Sequence, residues 1–152
     1  GEEGKALNTV SEVIDLATLA ISAEAVGIMQ KMNELTLDYT KTREQFGQAL
    51  SKFQALQHRM VDTFMVHEQT KSLLLMAAAK MNDKAADTSK SISALKYQIG
   101  SAAKLIGEES IQLHGGMGVT EEMSIGHYFK RLTTIRTIFG NSDYHLKRYS
   151  SL

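Results

Sequence analysis

Two short stretches of this sequence combine residue types that can hold a flat, phosphorylated ligand. Arg43-Glu44-Gln45-Phe46-Gly47 places a guanidinium, an amide and an aromatic ring within one turn of chain. An arginine forks onto a pyrophosphate, a glutamine hydrogen-bonds a ring or a ribose, and a phenylalanine packs on a flat ring. Gln112-Leu113-His114-Gly115-Gly116-Met117-Gly118 places three glycines between two helical stretches. Glycine lets the backbone approach a ligand closely, and the N-terminus of a following helix favours an anion. Each stretch also has a purely structural reading: the first as a capped, stapled turn and the second as a tight connection.

Other chemistries find no support. A carboxylate-bridged metal site in a helical bundle needs Glu-x-x-His, which sets both ligands on one helix face. Three residues beyond Glu24, Glu34, Glu68, Glu108, Glu109, Glu121 and Glu122 stand Gly27, Leu37, Lys71, Ile111, Gln112, Ser124 and Ile125. His67-Glu68 begins like the zinc motif H-E-x-x-H, but Lys71 holds the second histidine position. His58, His67, His114, His127 and His145 share no ligand spacing and read as polar residues on solvated or interhelix faces. The carboxylates of Glu108-Glu109 and Glu121-Glu122 are adjacent, so on a helix they point about 100° apart and do not converge on one substrate. Neither a Gly-x-Ser-x-Gly elbow nor a phosphate-binding Walker loop is present.

The elements that position these stretches follow from composition and periodicity. The 152 residues suit a single domain with a real core. Lysine plus arginine number 17 and so do aspartate plus glutamate, a balance that argues against nucleic acid as a partner. The absence of cysteine excludes disulfides, thiolate metal sites and thiol nucleophiles. No apolar run approaches the roughly 20 residues of a membrane span and no signal-peptide pattern opens the chain, so a cytoplasmic location is expected. Gly1, with no methionine before it, reads as a cleavage remnant or the start of a fragment, and the polar Gly1 to Lys5 stretch is expected to fray. Proline is absent where average usage of about 5% would supply seven or eight. Because proline breaks helix interiors, a proline-free chain rich in Ala, Leu, Lys, Glu, Gln and Met reads as nearly all helix.

The spacing predicts a first helix from Leu7 to about Tyr39, about 50 Å long, with Val10, Val13, Ile14, Ala17, Ile21, Val26, Met29 and Met32 inward. Thr40 to Gly47 interrupts it, with Gly47 able to take a left-handed turn conformation. A second helix runs from about Ala49 to Met81, carrying Leu50, Phe53, Leu56, Met60, Val61, Phe64 and Met65, and Asn82-Asp83 supplies its stop and the next N-cap. A third runs from Lys84 to about Leu113 with Ala85, Ile92, Leu95, Ile99, Ala102, Leu105 and Ile106 inward. Its small residues, among them Ser93, Ala94, Gly100 and Ala103, predict a neighbour at close approach. A fourth spans about Glu121 to Ile138, and a short last helix begins near Ser142. The fold class is all-α: one domain, an antiparallel up-down bundle of four main helices plus a short C-terminal helix.

Taken in order, Glu24-Ala-Val-Gly27, Tyr39 with Arg43-Glu-Gln-Phe-Gly47-Gln, Phe53-Gln-Ala-Leu-Gln57, Gln112-Leu-His-Gly-Gly-Met-Gly118 and Arg131-Leu-Thr-Thr-Ile-Arg-Thr-Ile138 resemble the C-terminal helical domain of the acyl-CoA dehydrogenase flavoproteins. The resemblance covers the chain from about residue 10. Members of that family carry a helical and a small β domain before this one, and neither is in this chain. The resemblance implies FAD as cofactor, with Arg43, Gln45 and Phe46 facing its pyrophosphate and adenine, and Gln54 nearby. It implies Gln112, Gly115 and Gly116 as close contacts to the ADP portion, and Ser142 as a further cofactor-binding residue.

The family removes the α-proton of an acyl-CoA thioester and transfers the β-hydride to the flavin, which needs a carboxylate base. The resemblance aligns the base stretch with Ile138-Phe139-Gly140-Asn141-Ser142, so Gly140 stands at the glutamate position. The alternative base position, on the first helix, falls near Ala17-Thr18. Asp15 and Glu12 are the carboxylates nearest to it, Asp143 lies three residues past Gly140, and an active dehydrogenase using Asp143 or Asp15 is a minor alternative. The main expectation is a chain without its own base, resembling the small non-catalytic subunits that form mixed tetramers with a catalytic sister subunit acting on acyl-CoA. A flavin-free helical structural or interaction bundle is the reading from another class.

Overall fold

The computed structural model describes residues 3–152; the expected fraying of Gly1 and Glu2 lies outside the described residues. The elements are α1 (Leu7–Thr42), a two-stranded ribbon of β1 (Glu44–Gln45) and β2 (Gln48–Ala49), a 3-10 turn (Leu50–Lys52), and α2 (Gln54–Asn82). They continue with α3 (Thr88–His114), a 3-10 segment (Gly115–Val119), α4 (Ser124–Ile135) and α5 (Ser142–Ser151). The all-α class and the four-plus-one helix count stand as expected.

The third helix is the axis of the molecule: α1, α2, α4 and α5 all pack on α3. Its buried Ile92, Leu95, Ile99, Ala102 and Ile106 recur at helical spacing and meet Ala25, Met29 and Met32 of α1, Ala77 of α2 and Ile125, Leu132 and Ile135 of α4. The small residues permit the expected close approaches. A Cβ added at Gly107 would lie 2.9 Å from the Phe129 ring, and at Gly100 it would collide with the Ser142 side chain.

The inward face of α1 differs from the hydropathy reading in its first half. Val10, Val13 and Ile14 are exposed, and the buried stripe there is Asp15, Thr18 and Ser22. The hydroxyls bond back to carbonyls one turn earlier, Thr18 to Ile14 at 2.7 Å and Ser22 to Thr18 at 2.7 Å. Polar side chains satisfied in this way can line a packed face. Leu105 of α3 and Val61, Phe64 and Met65 of α2 are likewise exposed.

Element ends moved for local reasons. Leu50–Lys52 forms a 3-10 turn, so α2 starts at Gln54 rather than near Ala49. Asp83 caps the end of α2, but Lys84 turns left-handed (φ 52°), and α3 starts at Thr88 behind Asp87 rather than at Lys84. The fourth helix is shorter at both ends than expected, Ser124–Ile135, and beyond its C-terminal end the chain turns left-handed at Phe139 (φ 58°) and Gly140 (φ 104°). Among the described residues no helix is long and apolar enough to cross a membrane.

Candidate functional site

The chain reverses after α1 by a hairpin rather than an irregular turn. Glu44 pairs with Ala49 and Gln45 with Gln48. Phe46 (φ 53°) and Gly47 (φ 79°) are both left-handed, as a two-residue type I′ turn requires. The hairpin is anchored at its base, where the Arg43 N–H donates to the Tyr39 carbonyl and the Leu50 N–H to the Arg43 carbonyl, both at 2.8 Å.

This anchoring presents Arg43 and Gln45 to the far end of α3. A cleft of about 480 Å³ opens between the hairpin, the start of α2 and the glycine segment. Arg43, Gln45, Gln112, Gly115 and Gly116 line it, joined by Tyr39, Arg59 and His114. Three segments separated by up to some seventy residues thus meet on one concavity. Arg59 is paired with Glu109 at 2.5 Å, while the exposed Arg43 side chain makes no hydrogen bond or ion pair to the other described residues.

Tyr39 and His114, which both line the cleft, form a stacked pair. The His114 ring is 3% exposed, and its Nδ1 lies 2.7 Å from the Ser110 carbonyl. A carbonyl accepts only, so Nδ1 carries the proton and Nε2, which has no partner, is bare. Burial pushes the imidazole below its ordinary value, so the ring is neutral at pH 7.

The three glycines differ in what the fold asks of them. Gly115 ends α3 at φ 60°, ψ −141°, a region open essentially to glycine alone. A Cβ at Gly118 would lie 2.8 Å from the Ile111 carbonyl oxygen. Gly116 is neither left-handed nor crowded, and a Cβ there would meet nothing within 4 Å. The fold explains two of the glycines; the third lines the cleft, where a side chain would reduce the open space.

The other candidates lie elsewhere. Phe46 is at the hairpin tip, 91% exposed, edge-on to Phe53 at 6.2 Å. Gln54 is exposed on the first turn of α2, and neither residue lines the cleft. Ser142 packs on Gly100 and donates to the Tyr97 carbonyl at 3.5 Å, twelve residues and so about 18 Å along α3 from Gln112.

Around Ser142 the side chains are committed to structure. Asp15, 4% exposed, is held by Arg148, with Nη1 2.8 Å from Oδ1 and Nη2 3.0 Å from Oδ2, and by the Ser89 hydroxyl at 2.6 Å. Asp143 is exposed in the first turn of α5. The space beside Gly140 where a side chain would begin is filled by the Tyr144 ring, with His145 Nε2 at 3.1 Å.

The family described as "Acyl-CoA dehydrogenase, C-terminal domain" matches residues 5–150. The chain belongs to the acyl-CoA dehydrogenase family. It is 34% identical over 135 residues to "Acyl-CoA dehydrogenase IpdE2" of Mycolicibacterium smegmatis, covering 88% of this chain and 41% of that protein. Among solved structures, butyryl-CoA dehydrogenase from Megasphaera elsdenii superposes with TM-score 0.94 at 26% identity, over 99% of this chain and 39% of that one. A variant of the Tcur3481-Tcur3483 steroid ACAD superposes with TM-score 0.91 at 29% identity, over 97% of this chain and 40% of that one. The chain therefore spans about two fifths of the length of these acyl-CoA dehydrogenases. The resemblance read from the motifs is borne out.

The motif reading overlooked Arg59 as a cleft residue and two groups outside the cleft, Lys96 and Arg148. Lys96 had a detectable signal: with Ile92, Leu95 and Ile99 it falls on the inward face of α3. A lysine at a core position needs a partner.

Proposed function

We propose that this chain is the C-terminal domain of an FAD-dependent acyl-CoA dehydrogenase that holds the ADP portion of the flavin and lacks its own base. The convergence of Arg43, Gln45, Gln112, Gly115 and Gly116 on one cleft supports this reading. The residues fit the group. Arg43 brings an uncommitted guanidinium for a pyrophosphate, Gln45 and Gln112 bring amides for ribose or ring atoms, and Gly116 leaves the main chain open to close approach. FAD, when bound, supplies the hydride acceptor for α,β-dehydrogenation of an acyl-CoA thioester. Phe46 and Gln54, beside the cleft, would complete the adenine surroundings, and Ser142 would serve a part of the cofactor remote from the ADP portion.

Gly140 at the base position, with Asp15 locked to Arg148, leaves proton abstraction to a catalytic sister subunit. The exposed apolar residues of α2, Val61, Phe64, Met65, Leu75 and Met76, offer a face for such an assembly. One solved relative, the Tcur3481-Tcur3483 steroid ACAD, carries a double name, in keeping with a mixed oligomer.

Calorimetric titration of ADP and FAD into the protein, alone and assembled with its sister subunit, tests the reading. The expected result is binding that Arg43→Ala weakens about tenfold, equivalent to ~1.4 kcal/mol, with flavin bleaching by acyl-CoA only in the mixed assembly. Absence of ADP and FAD binding in both forms overturns the flavin role. Bleaching by this chain alone overturns the missing base.

A further inference from the structure

Lys96 heads the large side chains fully buried among the described residues, at 1% exposure. Its ammonium donates to three carbonyl oxygens: Ile135 at 3.0 Å, Arg136 at 3.4 Å and Gly140 at 2.9 Å. Two of these belong to the C-terminal end of α4, where carbonyls have no helical partner and the helix dipole is negative. His145 Nε2 lies 2.9 Å from the neighbouring Phe139 carbonyl. Two buried side chains, from α3 and α5, thus hold four carbonyls of the α4 C-terminal end and the loop after it. Two of the four anchored residues, Phe139 and Gly140, are the left-handed residues of the loop.

Packing alone does not account for a lysine here. Ile92, Leu95 and Ile99 surround the position along α3, and a methionine would fill the same volume without burying a charge. The charged and titratable groups facing this region are His145 and Arg148 of α5 and Asp15 of α1. The carboxylate of Asp15 is taken by Arg148, so among the described residues the partners of the Lys96 ammonium are carbonyl dipoles. Burial lowers its pKa from 10.5 to about 8, while the three carbonyls favour the protonated form that has a hydrogen for each.

We propose that Lys96 is a positioning residue whose ammonium gathers the carbonyls of Ile135, Arg136 and Gly140 and so sets the backbone at position 140. This rests on the reading above, in which position 140 is where the family's proton-abstracting carboxylate stands. The clamp holds Gly140 in a left-handed conformation with Tyr144 packed against it. That arrangement has no place for a side chain, so the loop is built to be free of a base.

Carbon-detected NMR on the protein tests the clamp. The carbonyl shifts of Ile135, Arg136 and Gly140 are followed with the Lys96 Nζ shift from neutral pH to the ordinary lysine pKa. They should move together with one midpoint, while the Ala77 carbonyl in α2 does not follow. In Lys96→Met, the amides of residues 139–141 should exchange at least about tenfold faster, with mid-helix protection of α1 and α2 unchanged. Flat carbonyl shifts through the Lys96 titration, or unchanged loop exchange in Lys96→Met, overturn the proposal. The wild-type titration decides the matter if the variant does not fold. Neither readout uses flavin or acyl-CoA, so failed ADP binding speaks only to the functional reading and flat shifts only to the clamp.

Discussion

The ring of Tyr39 lies against the ring of His114, centroids 4.4 Å apart and planes inclined by 22°, and its hydroxyl donates to the His114 carbonyl at 3.3 Å. Seventy-five positions of sequence separate them, and their contact closes the end of α1 on the end of α3. The relative placement of the hairpin and the glycine segment depends on this pair. Tyr39→Phe should keep the stack and lose one hydrogen bond, costing about 1 kcal/mol. Tyr39→Leu should cost about 1 kcal/mol more as the stack goes too. Both should weaken ADP binding in proportion, and denaturant melts with matched ADP titrations check the pairing.

Gly116 and Gly118 should separate binding from stability. Gly116→Ala meets open space, so its unfolding free energy should stay within about 0.5 kcal/mol of wild type while ADP affinity falls. Gly118→Ala must push into the Ile111 carbonyl and should cost about 1–3 kcal/mol. Equal ADP affinity of Gly116→Ala and wild type would remove Gly116 from the site.

Stability should rise with pH in two separate windows, one on each side of neutrality. Burial holds His114 and His145 below the ordinary 6.5. As pH falls through 6.5 the unfolded chain takes up these protons first, so stability is lost between that value and the lower folded ones. Lys96 titrates at about 8 in the folded chain against 10.5 otherwise. Between those values the unfolded chain holds the extra proton, and stability from this group rises with pH. Thermal melts of wild type and Lys96→Met across this range should show the alkaline rise only in wild type.

Asp15 is structural on this geometry. Asp15→Asn leaves Arg148 without its carboxylate and should destabilise the protein by about 3 kcal/mol. A variant as stable as wild type but inactive in the assembly would return Asp15 to the list of bases.

The α2 face should mediate association. Phe64 is 58% exposed, so Phe64→Glu should leave the melting temperature nearly unchanged and shift light scattering toward a smaller species. A wild-type chain that is monomeric at micromolar concentration refutes self-association through this face.

Much of this protein is legible in its residues. The lack of proline and the 3.6-residue period determine five helices and their type, because these are local backbone preferences that every residue expresses. The glycine run marks the end of α3 for the same local reason, and the ordered motifs identify the family. The spacing also flags Arg43, Gln45, Gln112, Gly115 and Gly116. What spacing cannot express is which of the flagged residues share a surface: the hairpin and the Tyr39–His114 stack bring these five together and leave Phe46, Gln54 and Ser142 aside.

Tertiary structure alone decided which polar residues are core. Asp15, Thr18 and Ser22 displace Val10, Val13 and Ile14 from the inner face because hydroxyls can bond their own helix and Asp15 finds Arg148, 133 positions away. Lys96 is buried because α4 and the loop after it aim their carbonyls at it. Hydropathy scores a residue by its own transfer from water. A buried polar group is stabilised by partners that only the folded chain supplies, and for that reason the clamp on Gly140 could not be read from the sequence.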